Sequence, residues 1–300
     1  MTARSIAAII GGGVACSMAA GWLEARAYRV VRHKVALRVG AERPSHLRIL
    51  HISDVHYVRG QAAKARFIAS LNELEPDLVV TTGDLLSDDE GFDEFFEALG
   101  GLLNLPGAFV FGSNDYFGPS RVNPFAYLTR VPGQTRPRDW TLNWRRVRDA
   151  MTEAGWHDLD NARSRLAVAG LSVELRGTKD AHIQLDDYAA GAAASDAAWA
   201  DQAVDVVLGV THAPYRRVLD AMAADGVPLI LAGHTHGGQI CLPWGAIVAN
   251  CDLPPAVAKG LSLCPGGSLL HVTAGVGTSP AFPFRLFCRP EACVLDVTLA

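Results

Sequence analysis

The 300-residue chain carries 27 Lys+Arg against 31 Asp+Glu, a formal net charge of -4, so it lacks the basic field that holds a nucleic-acid backbone. Apolar residues make up 49% and charged residues 19%, which excludes a disordered chain and supplies a large core. The length admits one domain or two.

From Ile6 to Leu23 the chain runs eighteen residues without a charge, between Arg4 and the basic group Arg26, Arg29, Arg32, Lys34 and Arg38. Eighteen apolar residues approach the length that crosses a bilayer. Residues 1–40 are therefore expected to form an N-terminal single-pass membrane anchor and a connector. The excess of basic residues after the segment favours the cytoplasmic side for the rest. A packed helix and a cleaved signal peptide are the alternatives. The catalytic domain is expected over 41–300.

The polar break at Glu42, Arg43 and Pro44 precedes a strand over 47–52, and a helix over 61–74 leads to a β-branched run over 77–82. A helix over 92–103 and a strand over 108–111 follow, the βαβ alternation of an α/β sheet. Residues 117–142 carry four prolines and no period, an irregular insertion of the kind that often serves function. Tyr116, Phe117, Tyr127, Trp140 and Trp144 flank or lie in it and offer an apolar wall for an acyl chain, although irregularly spaced aromatics more often pack in a core. Beyond come a helix over 143–155, strands within 163–176, an Ala-rich stretch over 189–200 and strands over 204–210 and 227–232 around a helix at 215–224. Strands at 269–273 and 292–297 close the domain. Cysteines at 16, 241, 251, 264, 288 and 293 form no C-x-x-C pair and read as reduced, mostly buried thiols.

Polar, metal-type side chains stand where apolar strands stop. The strand over 47–52 ends in Ser53-Asp54-Val55-His56, that over 77–82 in Gly83-Asp84, and that over 108–111 in Gly112-Ser113-Asn114-Asp115. The strand over 204–210 ends in Thr211-His212, and that over 227–232 in Gly233-His234-Thr235-His236-Gly237-Gly238. Carboxyl ends of adjacent strands share one sheet edge, so the five stops converge. Carboxylate, imidazole and amide together suit divalent Mn, Fe or Zn, and seven donors exceed one tetrahedral ion. Two ions clamp a phosphate and activate water.

This ordered set resembles the calcineurin-like metallophosphoesterase family, whose signature runs D-x-H, G-D, G-N-H, H and G-H-x-H. The stretch Gly233 to Gln239 followed by Leu242-Pro243, and Gly275 to Pro280 with Arg285 and Arg289-Pro290-Glu291, resembles its YkuE-like branch. That branch is associated with membranes and with phospholipid or phosphodiester substrates. The resemblance implies a four-layer α/β/β/α sandwich, two divalent ions, and hydrolysis of a phosphate ester by a metal-bound hydroxide. It implies one ion on Asp54, His56 and His236, a second on Asn114, His212 and His234, and Asp84 between them, with His212 also stabilising charge on phosphorus.

One position departs. Aligned without gaps, Ser113 takes the family's Asn position and Asn114 that of the catalytic His; shifted by one, Asn114 binds metal and Asp115 takes the neighbouring place. The shift is favoured because an amide oxygen is a better ligand than a neutral hydroxyl. Leaving-group protonation then falls to Asp115, His182 or water. Arg285 and Arg289 offer forked donors for phosphate. His182 is a substrate-facing candidate, His51 a residue behind the ligands, and His33, His46, His157 and His271 ordinary packing or surface histidines. The alternative function is a metal-stabilised regulatory or binding protein that lost catalysis with the histidine.

Overall fold

The computed structural model describes residues 16–40, 45–118, 141–191, 203–278 and 282–300. Two six-stranded sheets stack face to face. The first has the order β1 (Arg29–Leu37), β14 (Glu291–Leu299), β2 (Ser45–Ile52), β3 (Leu78–Thr81), β4 (Gly107–Phe109) and β5 (His157–Asp158). The second runs β12 (Gly260–Leu263), β13 (Leu269–Val272), β9 (Leu229–Ala232), β8 (Val206–Val210), β7 (Leu171–Gly177) and β6 (Arg163–Val168). Strands β2 to β5 are parallel, as are β13, β9, β8 and β7, so each sheet delivers several carboxyl ends to one edge.

The period of two along each strand divides the core into three layers. Leu47, Ile49, Leu78 and Val80 of the first sheet meet Val173, Leu175, Leu208 and Leu231 of the second between the sheets. On the outer face of the first, Leu50, Ile52, Val79 and Phe109 pack against the helices Ala62–Ser70, Phe92–Leu99 and Trp144–Glu153 through Ile68, Phe95 and Met151. The outer face of the second covers Ile230, Leu270 and Val272 with Val218, Leu219 and Met222 of the helix Arg216–Ala224. Helices, sheet, sheet and helix make the four-layer α/β/β/α sandwich.

The start of the domain differs from expectation. Residues 29–37, read as connector, form β1, which pairs in parallel with β14 at the sheet's edge. The alternation RVVRHKVAL turns Val35 and Leu37 into the inter-sheet core while Arg32 and Lys34 stay in water, so the basic residues mark a half-buried edge strand. Residues 16–24 are helical and dock on the loop before β14, with Gly21 O accepting from Arg285 N at 3.0 Å and Glu24 accepting from the Phe287 and Cys288 amides. No helix among the described residues is long and apolar enough to cross a membrane; 1–15, most of the expected anchor, lie outside the described residues. So do Tyr127 and Trp140 of the insertion and most of the Ala-rich stretch. Tyr116 is core: it donates to Asp160 and packs with Phe111 and Trp144 and does not form a wall for substrate.

Leu37→Ala is expected to cost about 2–5 kcal/mol in urea denaturation, the range for truncating a buried leucine. A cost near zero would return residues 29–37 to the role of a tether.

Candidate metal centre

Every expected ligand sits within a few residues of the carboxyl end of a parallel strand. Asp54 and His56 follow β2, Asp84 follows β3, Asn114 follows β4, His212 follows β8, and His234 and His236 follow β9. Asp54, His56, Asp84, His234 and His236 have φ between 44° and 68°, the left-handed region that side chains disfavour. Strain of this kind persists only where surrounding structure enforces it, and it concentrates at functional sites. Glycines admit the close approaches: a Cβ on Gly112 would stand 2.3 Å from an Asp84 oxygen, and one on Gly233 1.9 Å from Ser53 Oγ.

Each histidine has one ring nitrogen held from behind. His56 Nδ1 meets Ser87 Oγ at 3.1 Å, and His212 Nδ1 donates to Thr82 O at 2.6 Å. His234 Nε2 meets Asn250 O at 3.1 Å, and His236 Nδ1 accepts from Arg285 at 3.2 Å. Ligating histidines are oriented in this way, and here it turns the opposite nitrogens inward. His56 Nε2 and His236 Nε2 approach to 3.1 Å; His234 Nδ1 and His212 Nε2 approach to 3.3 Å. Asp84 Oδ2 lies 3.5 Å from His56 Nε2 and 3.5 Å from His212 Nε2, and Asp54 Oδ1 lies 3.5 Å from His236 Nε2. Asp54, His56 and His236 form one group with metal-ligand spacing, and Asp54, Asp84 and His212 a second. The donor set of imidazole and carboxylate suits borderline divalent ions.

The electrostatics follow from burial. Desolvation pushes the His234 and His236 imidazoles far down and His56 to about 4, so they stay neutral with lone pairs available. Burial also opposes charge on His212, but Asp84, Asp180 and Asp54 outweigh it and raise the imidazole to about 10. Burial raises Asp54 to about 6; for Asp84, His212, His56 and two hydrogen bonds from Asn114 overcome burial and hold the carboxyl low.

Three expected roles change. Asp115 is not available to protonate a leaving group: its carboxylate accepts from the Asp84, Leu85 and Gly112 amides at 2.7, 2.7 and 2.8 Å, and so fixes the loop that carries Asp84. Arg285 does not face a phosphate. It is fully buried and spends its donors on the carbonyls of Ala274, Gly277, His236 and Cys288 and on His236 Nδ1, positioning that ring. Arg289 donates to Ala27 O beside the N-terminal helix. Asn114, by contrast, lies at the centre, its amide group 2.7 Å from Asp84 Oδ2 and its backbone N 2.8 Å from Asp84 Oδ1. His182 lies at the rim, its ring 4.4 Å from that of His234 and its Nδ1 2.9 Å from Tyr215 Oη.

Sequence reasoning missed Lys64 and Asp180. Lys64 is buried and donates to Val55 O at 2.6 Å and His56 O at 3.3 Å, holding the strained D-x-H turn. Its position on the inner face of a short helix, next to Ile68, was the only signal. Asp180 is buried two residues before His182, whose amide it accepts at 2.7 Å, and adds to the field on His212.

A family model for calcineurin-like phosphoesterases matches residues 47–238, the span that contains all seven expected ligands. The chain belongs to the calcineurin-like phosphoesterase family. It is 28% identical to phosphodiesterase YaeI of Escherichia coli K12, over 99% of this chain and 96% of that protein. It is 25% identical to the uncharacterized metallophosphoesterase YkuE of Bacillus subtilis, over 83% of this chain and 78% of that protein. A zebrafish (Danio rerio) transmembrane protein with a metallophosphoesterase domain is 26% identical over 82% of this chain, which spans 52% of that relative's length. As a calcineurin-like phosphoesterase, the protein is a metal-dependent phosphoester hydrolase.

A cation held by His212 would displace that ring's proton, because Asp84, Asp180 and Asp54 raise the imidazole to about 10. Metal binding is therefore expected to release protons, and affinity to rise about tenfold per pH unit between 7 and 8 for each proton released. Calorimetry in buffers of different ionisation enthalpy measures this; affinity that falls as pH rises would contradict the charge assigned to His212.

Proposed function

We propose that the protein hydrolyses a phosphodiester or phospholipid-type ester with two divalent ions, of the Mn, Fe or Zn class. The observation that carries the reading is Asp84 Oδ2 standing equidistant from His56 and His212, between the two imidazole groups. Asp54, His56 and His236 would hold one ion and Asn114, His212 and His234 the other, with Asp84 set between the two groups. When bound, two such ions neutralise phosphate charge and lower the pKa of water enough for attack on phosphorus. Asn114 would present its amide oxygen to an ion after rotation of the side chain alone. Ser53 and the His234 amide keep the Asp54 carboxylate in place through hydrogen bonds of 2.6 and 2.9 Å. With Asp115 committed to backbone amides, His182 at the rim supplies the proton to the leaving oxygen.

Several features support a lipid surface as the place of action. Beside His236, Gly238 packs on Ala246 of the hairpin β10 (Cys241–Leu242) and β11 (Gly245–Ala246), which presents Leu242 and Trp244 to solvent; Trp244 is 82% exposed. The hairpin joins the 282–288 loop through the Ile240–Leu286 bridge, and that loop carries exposed Phe287 and holds the helix bearing exposed Trp22 and Leu23. Arg26 lies over the Trp22 ring at 3.6 Å, a cation at the apolar rim. Exposed apolar side chains grouped in this way mark an interaction surface, and aromatic with basic residues suits the lipid headgroup level.

Protein loaded with Mn is expected to hydrolyse an activated nitrophenyl phosphodiester, and Asp84→Ala to lose at least about 10³-fold in kcat/KM. Metal binding with no hydrolysis of any activated ester would favour the regulatory alternative. His182→Gln should slow esters of poor alkyl leaving groups by about 10²-fold while sparing activated ones; equal losses on both would remove the acid role. Trp244→Glu should weaken cosedimentation with anionic phospholipid vesicles roughly tenfold, and unchanged binding would exclude this face.

A further inference from the structure

On the far side of Thr82, a second group of ligand-type side chains belongs to neither half of the phosphoesterase centre. His33 of β1, His271 of β13 and Cys293 of β14 each bring one ligand atom, all within 4.8 Å of one another. His271 and Cys293 are fully buried, and His33 is half-buried at the edge strand, with its ring 4.9 Å from that of His271.

The hydrogen bonds of His271 leave one atom unexplained. Its Nδ1 meets His51 Nδ1 at 2.9 Å, and His51 Nε2 meets Thr82 Oγ1 at 2.9 Å. Among the described residues, His271 Nε2 is buried without a hydrogen-bond partner. The chain of three groups permits two proton arrangements. If His51 donates to His271, then Nε2 of His271 carries a hydrogen with no acceptor, a buried loss of about 1–3 kcal/mol. If His271 donates to His51, which in turn donates to Thr82, then Nε2 keeps a bare lone pair, buried in the region where His271, His33 and Cys293 gather. The second arrangement is that of a metal-ligating histidine, oriented from behind by a hydrogen bond to its other nitrogen.

We propose that His33, His271 and Cys293 form a second metal site, distinct from the phosphoesterase centre, for a soft or borderline ion of the Zn²⁺ or Cu⁺ class. Imidazole and thiolate together select such ions over Mn²⁺ or Mg²⁺. Three protein ligands with one partly exposed leave the remaining position to water at the His33 side. Burial pushes the Cys293 thiol up and the His271 imidazole down, so both are uncharged until an ion enters and the thiol proton passes to solvent. The ion would join β1 and β14 to β13, tying the first sheet to the second.

Co²⁺ added to the metal-free full chain is the direct probe, because the phosphoesterase centre offers only nitrogen and oxygen donors. A thiolate-to-cobalt charge-transfer band in the near ultraviolet is expected, saturating at one ion per chain. Cys293→Ser should abolish the band while Mn-dependent hydrolysis of an activated phosphodiester persists, which separates this site from the catalytic reading. His33→Ala, at a half-buried position, should retain the fold by circular dichroism and weaken the ion at this site by more than about tenfold. Absence of the band in the wild-type chain, or its survival in Cys293→Ser, would overturn the proposal and leave the pocket to a water molecule.

Discussion

Four imidazoles and two carboxylates meet in a space almost closed to water, and the architecture around them depends on how that space is balanced. Removing a carboxylate from water costs several kcal/mol unless positive charge replaces the lost hydration. Within the protein the His212 ring is raised by Asp84, Asp180 and Asp54, while burial moves Asp54 toward neutrality and holds His56, His234 and His236 neutral. Divalent cations would resolve this, supplying the positive charge and taking the neutral imidazoles as ligands. Five backbone positions in the left-handed region follow from the same demand, because extended strand geometry alone would not turn Asp54, His56, Asp84, His234 and His236 into one volume.

The surrounding residues hold that volume open against the tendency of a core to fill. Lys64 satisfies carbonyls of the turn after β2, Asp115 gathers the amides of the turn after β3, and Arg285 ties the His236 loop to the loop before β14. Each is buried and engaged with backbone, so each rigidifies a loop that carries an expected ligand. Truncating any of them would leave unpaired backbone groups and loosen the centre, without removing a group that touches substrate. The stacked sheets give the rigid base, and the five strained positions that carry expected ligands gather at one edge.

The legibility of the sequence had clear physical limits. The inner strands β2, β3, β8 and β9 were readable because parallel strands buried on both faces are apolar runs, and the ligands were readable because polar residues follow those runs at once. Strand β1 was hidden because an edge strand alternates, and its outward Arg32 and Lys34 resemble a basic membrane flank. Sequence position alone points Asp115 to leaving-group protonation and Arg285 to phosphate because it does not reveal which way a side chain points; both face inward to backbone amides or carbonyls. His33, His271 and Cys293 gave no signal because 260 residues separate the first from the last, and only the pairing of β1 with β14 and the stacking of the sheets unite them.

Crystals of the protein soaked with Mn²⁺ and measured by anomalous scattering test the central claim most directly. Two anomalous peaks are predicted, one against Asp54, His56 and His236, the other against Asn114, His212 and His234, with Asp84 in contact with both. A single peak, or a second ion held by Ser113 with Asn114 turned away, would contradict the account.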